Sequence, residues 1–257
     1  MKLRSVIVII CTILLSYSAG FSQSHRVRSE NFFGLQFRPL IPLGMVGDKT
    51  FTISEGELES TIKPIFGYSY GGVVRVGITE LLAIETGLNY TKRRYQADHA
   101  VVDSNVYASE KLGYVSFEVP LNLLIYVKLG NQFYMNVAGG ASVNYNPSNI
   151  RSPKPLNPFG IHLFIFEGRR YNHFDFHANA EVGFEFRSEK LGTFYLGMNG
   201  RIPFNKVLQI ATEYRHDTHS VVAYGDITGA TFSVSIKYFL PNIKKRGEQP
   251  VKGPIEF

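Results

Sequence analysis

The ionisable residues of this 257-residue chain recur at alternate positions. Between Phe174 and Arg187, the residues Asp175, His177, Glu181, Glu185 and Arg187 all share one parity. The other parity reads Phe174, Phe176, Ala178, Ala180, Val182, Phe184 and Phe186. Period two is the strand period, so every charge falls on one face. Arg38, Arg75, Glu85, Glu118, Arg201 and Lys237 occupy the polar parity of other alternating stretches. Two chemistries are open to such a set. His177 with Glu181 or Glu185 and a serine has the residue types of a hydrolytic relay, but a relay is a matter of geometry that the sequence does not supply. Charges of both signs, in comparable numbers, can instead pair inside a narrow closed sheet, where an isolated charge would be costly. The pairing reading is adopted, with Arg75, Glu85, Glu118, Glu181, Glu185, Arg201 and Lys237 as its network. His216, Asp217 and His219 are metal-capable types, yet without a further ligand they read as a polar loop tip. No catalytic, cofactor or metal site is expected. Lys92, Arg93 and Arg94 fall where a strand would leave a membrane on its outer side. They have the chemistry to pair with glycolipid phosphates, a solvated charge run being the alternative.

The elements that must position these residues belong to an exported chain. Lys2 and Arg4, an apolar run from Val6 to Leu15, and the small residues Ser18, Ala19, Gly20 and Ser22 have the order of a secretory signal peptide. The run is shorter than the ~20 apolar residues of a spanning helix. Residues 1–22 are thus expected to be removed. Cys11, the one cysteine, lies inside the leader, so the mature chain has no disulfide and no thiol ligand or nucleophile. Losing Lys2 and Arg4 reduces 27 basic residues to 25 against 21 acidic ones. That mild excess, without a basic aromatic-interleaved patch, excludes nucleic acid as a partner. No later stretch is long enough for a membrane helix. A membrane barrel remains open, because its signal is spread over short alternating segments.

Eight such segments are predicted: at about 33–41, 64–77, 82–96, 113–128, 132–146, 174–187, 193–204 and 227–239. Their connections, roughly 42–63, 78–81, 97–112, 129–131, 147–173, 188–192 and 205–226, alternate long and short. Short periplasmic turns and long external loops have that asymmetry in outer-membrane barrels. The fold predicted is therefore all-β, a transmembrane antiparallel up-and-down barrel over residues 23–240, apolar face to lipid and polar face inward. Strand-like stretches at Phe159–Phe166 and Val207–Arg215 lie within the long connections, as extensions above the membrane or as two further strands, which would make ten. Turns near 80 and 190 place Arg75 opposite Glu85, and pair Glu181 with Asn199, Asn179 with Arg201 and Glu185 with Tyr195. Pro120 lacks an amide hydrogen, so a bulge or membrane edge is expected there. Tyr90, Tyr95, Tyr114, Tyr145 and Tyr238 are read as an interfacial girdle. After Leu240 the chain turns basic and proline-rich, a flexible periplasmic tail over 241–257.

The stretch GYVSFEVPLNLLIYV from Gly113 to Val127, a short turn, and FYMNVAGGASVNY from Phe133 to Tyr145 resemble the central hairpin of PorT-type outer-membrane barrels. ITELLAIETGLNY, from Ile78 to Tyr90, is similar to that family's second hairpin. The resemblance implies an eight-stranded outer-membrane barrel and, through the family's named member, a part in protein secretion. Four functions follow as expectations: a non-enzymatic barrel acting through loops and tail, an accessory secretion component, a narrow pore, or a lipid-modifying enzyme. The first is preferred. Its expected partners are outer-membrane lipid and other envelope or secretion proteins.

Overall fold

A computed structural model describes residues 31–42, 49–79, 81–102, 105–151, 162–188 and 190–241. The leader and the tail from residue 242 onward lie outside the described residues. Thirteen strands follow in order among the described residues. β1 is Asn31–Ile41, β2 Phe51–Glu55, β3 Leu58–Gly77, β4 Leu82–Val101, β5 Val106–Lys128, β6 Phe133–Tyr145 and β7 Ile150–Arg151. β8 is His162–Arg170, β9 Phe174–Ser188, β10 Gly192–Pro203, β11 Leu208–His216, β12 His219–Ile227 and β13 Thr231–Phe239. The antiparallel ladder β1-β13-β10-β9-β6-β5-β4-β3 closes on itself through β1–β3. Eight strands form the ring, so the additional strand-like stretches are not barrel staves.

The ring is turned inside out relative to a soluble barrel. Its inward positions carry Arg38, Arg75 and Arg201, which are among the largest fully buried side chains, while Leu35, Leu121 and Leu196 are each about 60% exposed on the outside. Burial of apolar surface cannot explain that arrangement in water. A hydrocarbon surround can, and it also requires closure, because an open edge would leave backbone groups unpaired in lipid.

Two rows of aromatic rings bound the apolar wall. Toward the long connections, Tyr70, Tyr90, Phe117, Tyr145 and Phe174 are successive register partners across β3, β4, β5, β6 and β9. Toward the short turns, Phe133, Phe186, Phe194 and Tyr238 continue the same way across β6, β9, β10 and β13. Phe174 and Phe186 are twelve positions apart on β9. At ~3.3 Å per residue and ~45° tilt that separates the rows by roughly 28 Å, close to the hydrocarbon thickness. Tyr90, Tyr145 and Tyr238 thus belong to girdles. Tyr95 and Tyr114 do not. They face inward, both 3% exposed, and stack at 6.2 Å, because β4 and β5 continue in phase far above the upper row.

That continuation corrects the long loops. The expected connection 97–112 is ladder instead, with pairing unbroken from Tyr95↔Leu112 to Val101↔Val106. β5 has 23 residues, roughly 75 Å of strand, and a tilted crossing uses only about 9–11 residues. The upper parts of β3, β4 and β5, with β2 on their edge, form one wall of a head above the ring. A separate sheet, β12-β11-β8-β7, forms the other. Above the upper row the inward parity changes from polar to apolar. Leu58, Ile62, Phe164, Phe166, Ile210 and Tyr214 meet in a common core. The head therefore folds as water-soluble sheets do, apolar inside.

Pro120 is not at a bulge or an edge. It lies in the middle of β5, facing inward. The β4–β5 ladder lapses beside it but resumes without a shift, from Thr86↔Leu121 to Asn89↔Glu118. Thr86 Oγ1 donates to the Pro120 carbonyl at 2.8 Å. The register shift of this region is elsewhere, between Ile65 and Tyr68 on β3, next to Pro64.

Candidate functional site

The lumen is the site where most of the buried ionisable side chains meet. Each stave delivers its polar parity inward: Arg38 from β1, Arg75 from β3, Glu85 from β4, Glu118 from β5, Asn136 and Asn144 from β6, Glu181 and Glu185 from β9, Arg201 from β10 and Lys237 from β13. The hairpin registers read from the turns hold, with Arg75↔Glu85, Glu181↔Asn199, Asn179↔Arg201 and Glu185↔Tyr195. A slip of one residue would send each of these charges to lipid.

The side chains connect in one continuous chain of alternating sign. Arg187 Nε is 2.6 Å from Glu185, and Glu185 also holds Arg75 Nη1 at 2.5 Å. Arg75 donates from Nη2 to Glu85 at 2.8 Å and from Nε to the same oxygen at 3.1 Å. The other Glu85 oxygen takes Lys237 Nζ at 2.5 Å, and Lys237 reaches Glu181 at 2.8 Å. Arg38 lies 3.8 Å from Glu181 and 3.6 Å from Glu118, and Glu118 closes the series on Arg201. The chain has five cations and four carboxylates, and seven of the nine were predicted as the network. Arg38 and Arg187 were read as lumen charges too.

Aromatic groups and amides fill the space around this chain. The Arg75 guanidinium carbon sits 4.3 Å from the centre of the Phe239 ring. Toward the short turns Arg187 is enclosed by Tyr134, Tyr126 and Phe32 at 4.2, 4.8 and 5.3 Å. Such contacts favour a cation held away from water. Tyr195 lies across Gly183 and Gly197, where a Cβ would come within 2.5 Å of its hydroxyl. Only glycine leaves room there for the ring. Toward the head, Asn146 bonds Asp175, and Arg93 Nη1 donates to Tyr114 Oη at 2.5 Å. The head core then lies directly above.

The structure divides the basic triplet. Arg93 is 3% exposed and belongs to the lumen, whereas Lys92 and Arg94 point outward. Arg93 is therefore not placed to meet glycolipid. The signal was available in the sequence, since Glu85, Asn89 and Thr91 set the parity that Arg93 and Tyr95 continue. His177 is fully buried, and both its ring nitrogens lack a hydrogen-bond partner among the described residues. No serine or carboxylate there is arranged with it as a relay. Asp217 occupies the β11–β12 turn with φ of 50°, a conformation aspartate tolerates. No group of three or more metal-capable side chains gathers among the described residues.

A closed, inverted ring of eight antiparallel strands with an apolar belt between two aromatic girdles defines a transmembrane barrel of the outer membrane. The chain belongs to the family described as outer membrane protein beta-barrel domain, which it matches over residues 17–209. Several solved structures are similar at low identity. The outer membrane protein OprG from Pseudomonas aeruginosa has a TM-score of 0.49 and 10% identity, over 82% of this chain and 96% of that one. The translocator domain of the autotransporter NalP from Neisseria meningitidis has a TM-score of 0.30 and 9% identity, over 91% and 96%. The outer membrane protease OmpT from Escherichia coli has a TM-score of 0.30 and 10% identity, over 86% and 99%. No curated protein shows a significant sequence match.

Proposed function

We propose that this barrel is a non-enzymatic, non-conducting anchor whose working surface is the head at its long-connection end. The observation that carries the reading is the unbroken run of ion pairs from Arg187 to Arg201. An eight-stranded ring has an interior just wide enough for side chains, and this one spends its interior on mutual neutralisation. A solute path would require parting desolvated pairs. The head core above would have to part as well. By the asymmetry of outer-membrane barrels, the long connections face outside and the short turns and tail face the periplasm.

What the chain does through the head follows from its build. Sheets of β-strands around an apolar core make a rigid platform, in contrast to the mobile loops that usually crown a barrel. Tyr107 and Tyr224, 68% and 64% exposed on β5 and β12, are large amphipathic groups of the sort enriched at protein contacts. The resemblance of the β5–β6 hairpin to PorT-type barrels supports one particular setting, an accessory place in a secretion machine of the outer membrane. Photo-crosslinking side chains at positions 107 and 224 in living cells test the reading. Discrete protein adducts are expected there and not from the lipid-facing positions 121 and 196. Adducts confined to positions 121 and 196 would assign the working surface to the wall of the ring instead.

A further inference from the structure

The outer face of β3, β4 and β5 changes character immediately above the upper aromatic row. Tyr70, Tyr90 and Phe117 lie side by side, with ring centres 5.1 and 5.9 Å apart, and mark the headgroup level. The next two outward positions on β4 are Lys92 and Arg94. Opposite Arg94 on the next strand, β5, is Gly113, whose bare Cα faces out. A Cβ there would stand 3.7 Å from both Lys92 Cε and Arg94 Cγ. The two cationic side chains therefore flank a strip of backbone that no side chain covers. Lys111 is the next outward cation on β5. The first carboxylate on this face of β4 is Asp98, and Lys63 already holds it at 2.8 Å. Lys92 and Arg94 have no acidic partner among the described residues. Like charges placed together on one sheet face destabilise it unless an anion joins them.

We propose that Lys92 and Arg94 bind a phosphate of an outer-leaflet glycolipid over the Gly113 backbone. Arg93, adjacent in sequence, takes no part. The choice of leaflet rests on the long connections facing outside, as argued above, while the binding chemistry does not. Guanidinium and ammonium groups donate charge-assisted hydrogen bonds to phosphate oxygens, and the girdle holds the lipid's glycerol or sugar region level with them.

Native mass spectrometry of the full-length protein in mild detergent, with bisphosphorylated lipid A as probe, tests the proposal. Wild type and the exposed head variant Arg215→Gln should retain one lipid A per chain. The double variant Lys92→Gln/Arg94→Gln should bind it more weakly by about tenfold or more, the loss expected from removing charged hydrogen bonds. Lipid A stripped of phosphate should bind wild type as poorly as lipid A binds the double variant. Equal retention by wild type and the double variant would overturn the site. Phosphatidylglycerol bound as tightly as lipid A would overturn the glycolipid assignment. Heat-modifiable gel mobility verifies that every variant is folded. Micelles have no sides, so this result stands apart from the orientation of the barrel, which surface labelling decides separately.

Discussion

Glu85 is the residue on which the lumen chain turns, since it holds Arg75 through one oxygen and Lys237 through the other. Glu85→Ala removes the carboxylate shared by two buried cations and leaves Arg75 to Glu185 and Lys237 to Glu181. A loss of about 3 kcal/mol is expected, the low end of the cost of breaking a buried pair, because each cation keeps one carboxylate. Arg75→Ala added to it removes the repulsion between the two cations, so the double variant should recover part of that loss in urea unfolding from lipid vesicles. Strictly additive losses would mean the pair is not coupled. Above the membrane, Asp98 accepts hydrogen bonds from Lys63, Ser109 and Gln96, which hold its carboxyl down at about 2 from an ordinary 3.8. The folded state thus favours the charged form. The stabilisation is fully present above the unfolded value near 4 and is lost as pH falls through about 2. An NMR titration of the Asp98 carboxyl should show it ionised at pH 3, and Asp98→Asn should flatten acid sensitivity in that window. At this scale the sequence was readable wherever a strand was recognised, because parity alone placed Arg75, Glu85, Glu181 and Lys237 inward. Arg93, Tyr95 and Tyr114 were misplaced for one reason: they lie within the predicted strands 82–96 and 113–128, but near the membrane surface residue type was followed instead of parity.

Strand length is what separates this barrel from a minimal one. The ring uses the lower portions of β3, β4 and β5, and their upper portions, with β2 and the β7–β8 and β11–β12 segments, enclose a second core. The alternation in both halves has the same period, but the solvent outside differs, so the polar and apolar faces exchange roles at the girdle. That exchange is why the sequence shows the ring clearly and the head poorly. At Tyr95, Ala97 and Val101 the inward parity is apolar, opposite to the rule that located the staves below. Phe159–Phe166 and Val207–Arg215 were recognised as strand-like, but pairing across the molecule, β8 with β11, is a long-range fact that no local pattern encodes. The element-level expectation is that head and ring are separable. Phe164, 1% exposed between His99 and Tyr214, anchors β8 to both walls. Phe164→Ala should cost the head about 3–5 kcal/mol. Limited proteolysis should then cut β8 and β11–β12 far faster than in wild type, while the remaining ring keeps its heat-modifiable mobility. Loss of both together would show a single cooperative unit.

The whole molecule combines a ring folded for lipid with a head folded for water, joined without a linker because three strands run through both. Orientation follows from the asymmetry of its two ends. A single cysteine introduced at Asp217 should react with an impermeant maleimide on intact cells, and one at Asn131 should not. Labelling at Asn131 alone would invert the barrel. In the function we propose, five cations and four carboxylates pair across the lumen beneath an apolar cap and leave no path for ions. Conductance of the purified full-length protein in planar bilayers addresses it most directly. Wild type is expected to insert without producing unitary current steps, and Glu85→Ala/Glu118→Ala, which strands cations along the chain and invites water between them, is expected to show intermittent openings. Stable, uniform unitary conductance from wild-type protein would contradict the account.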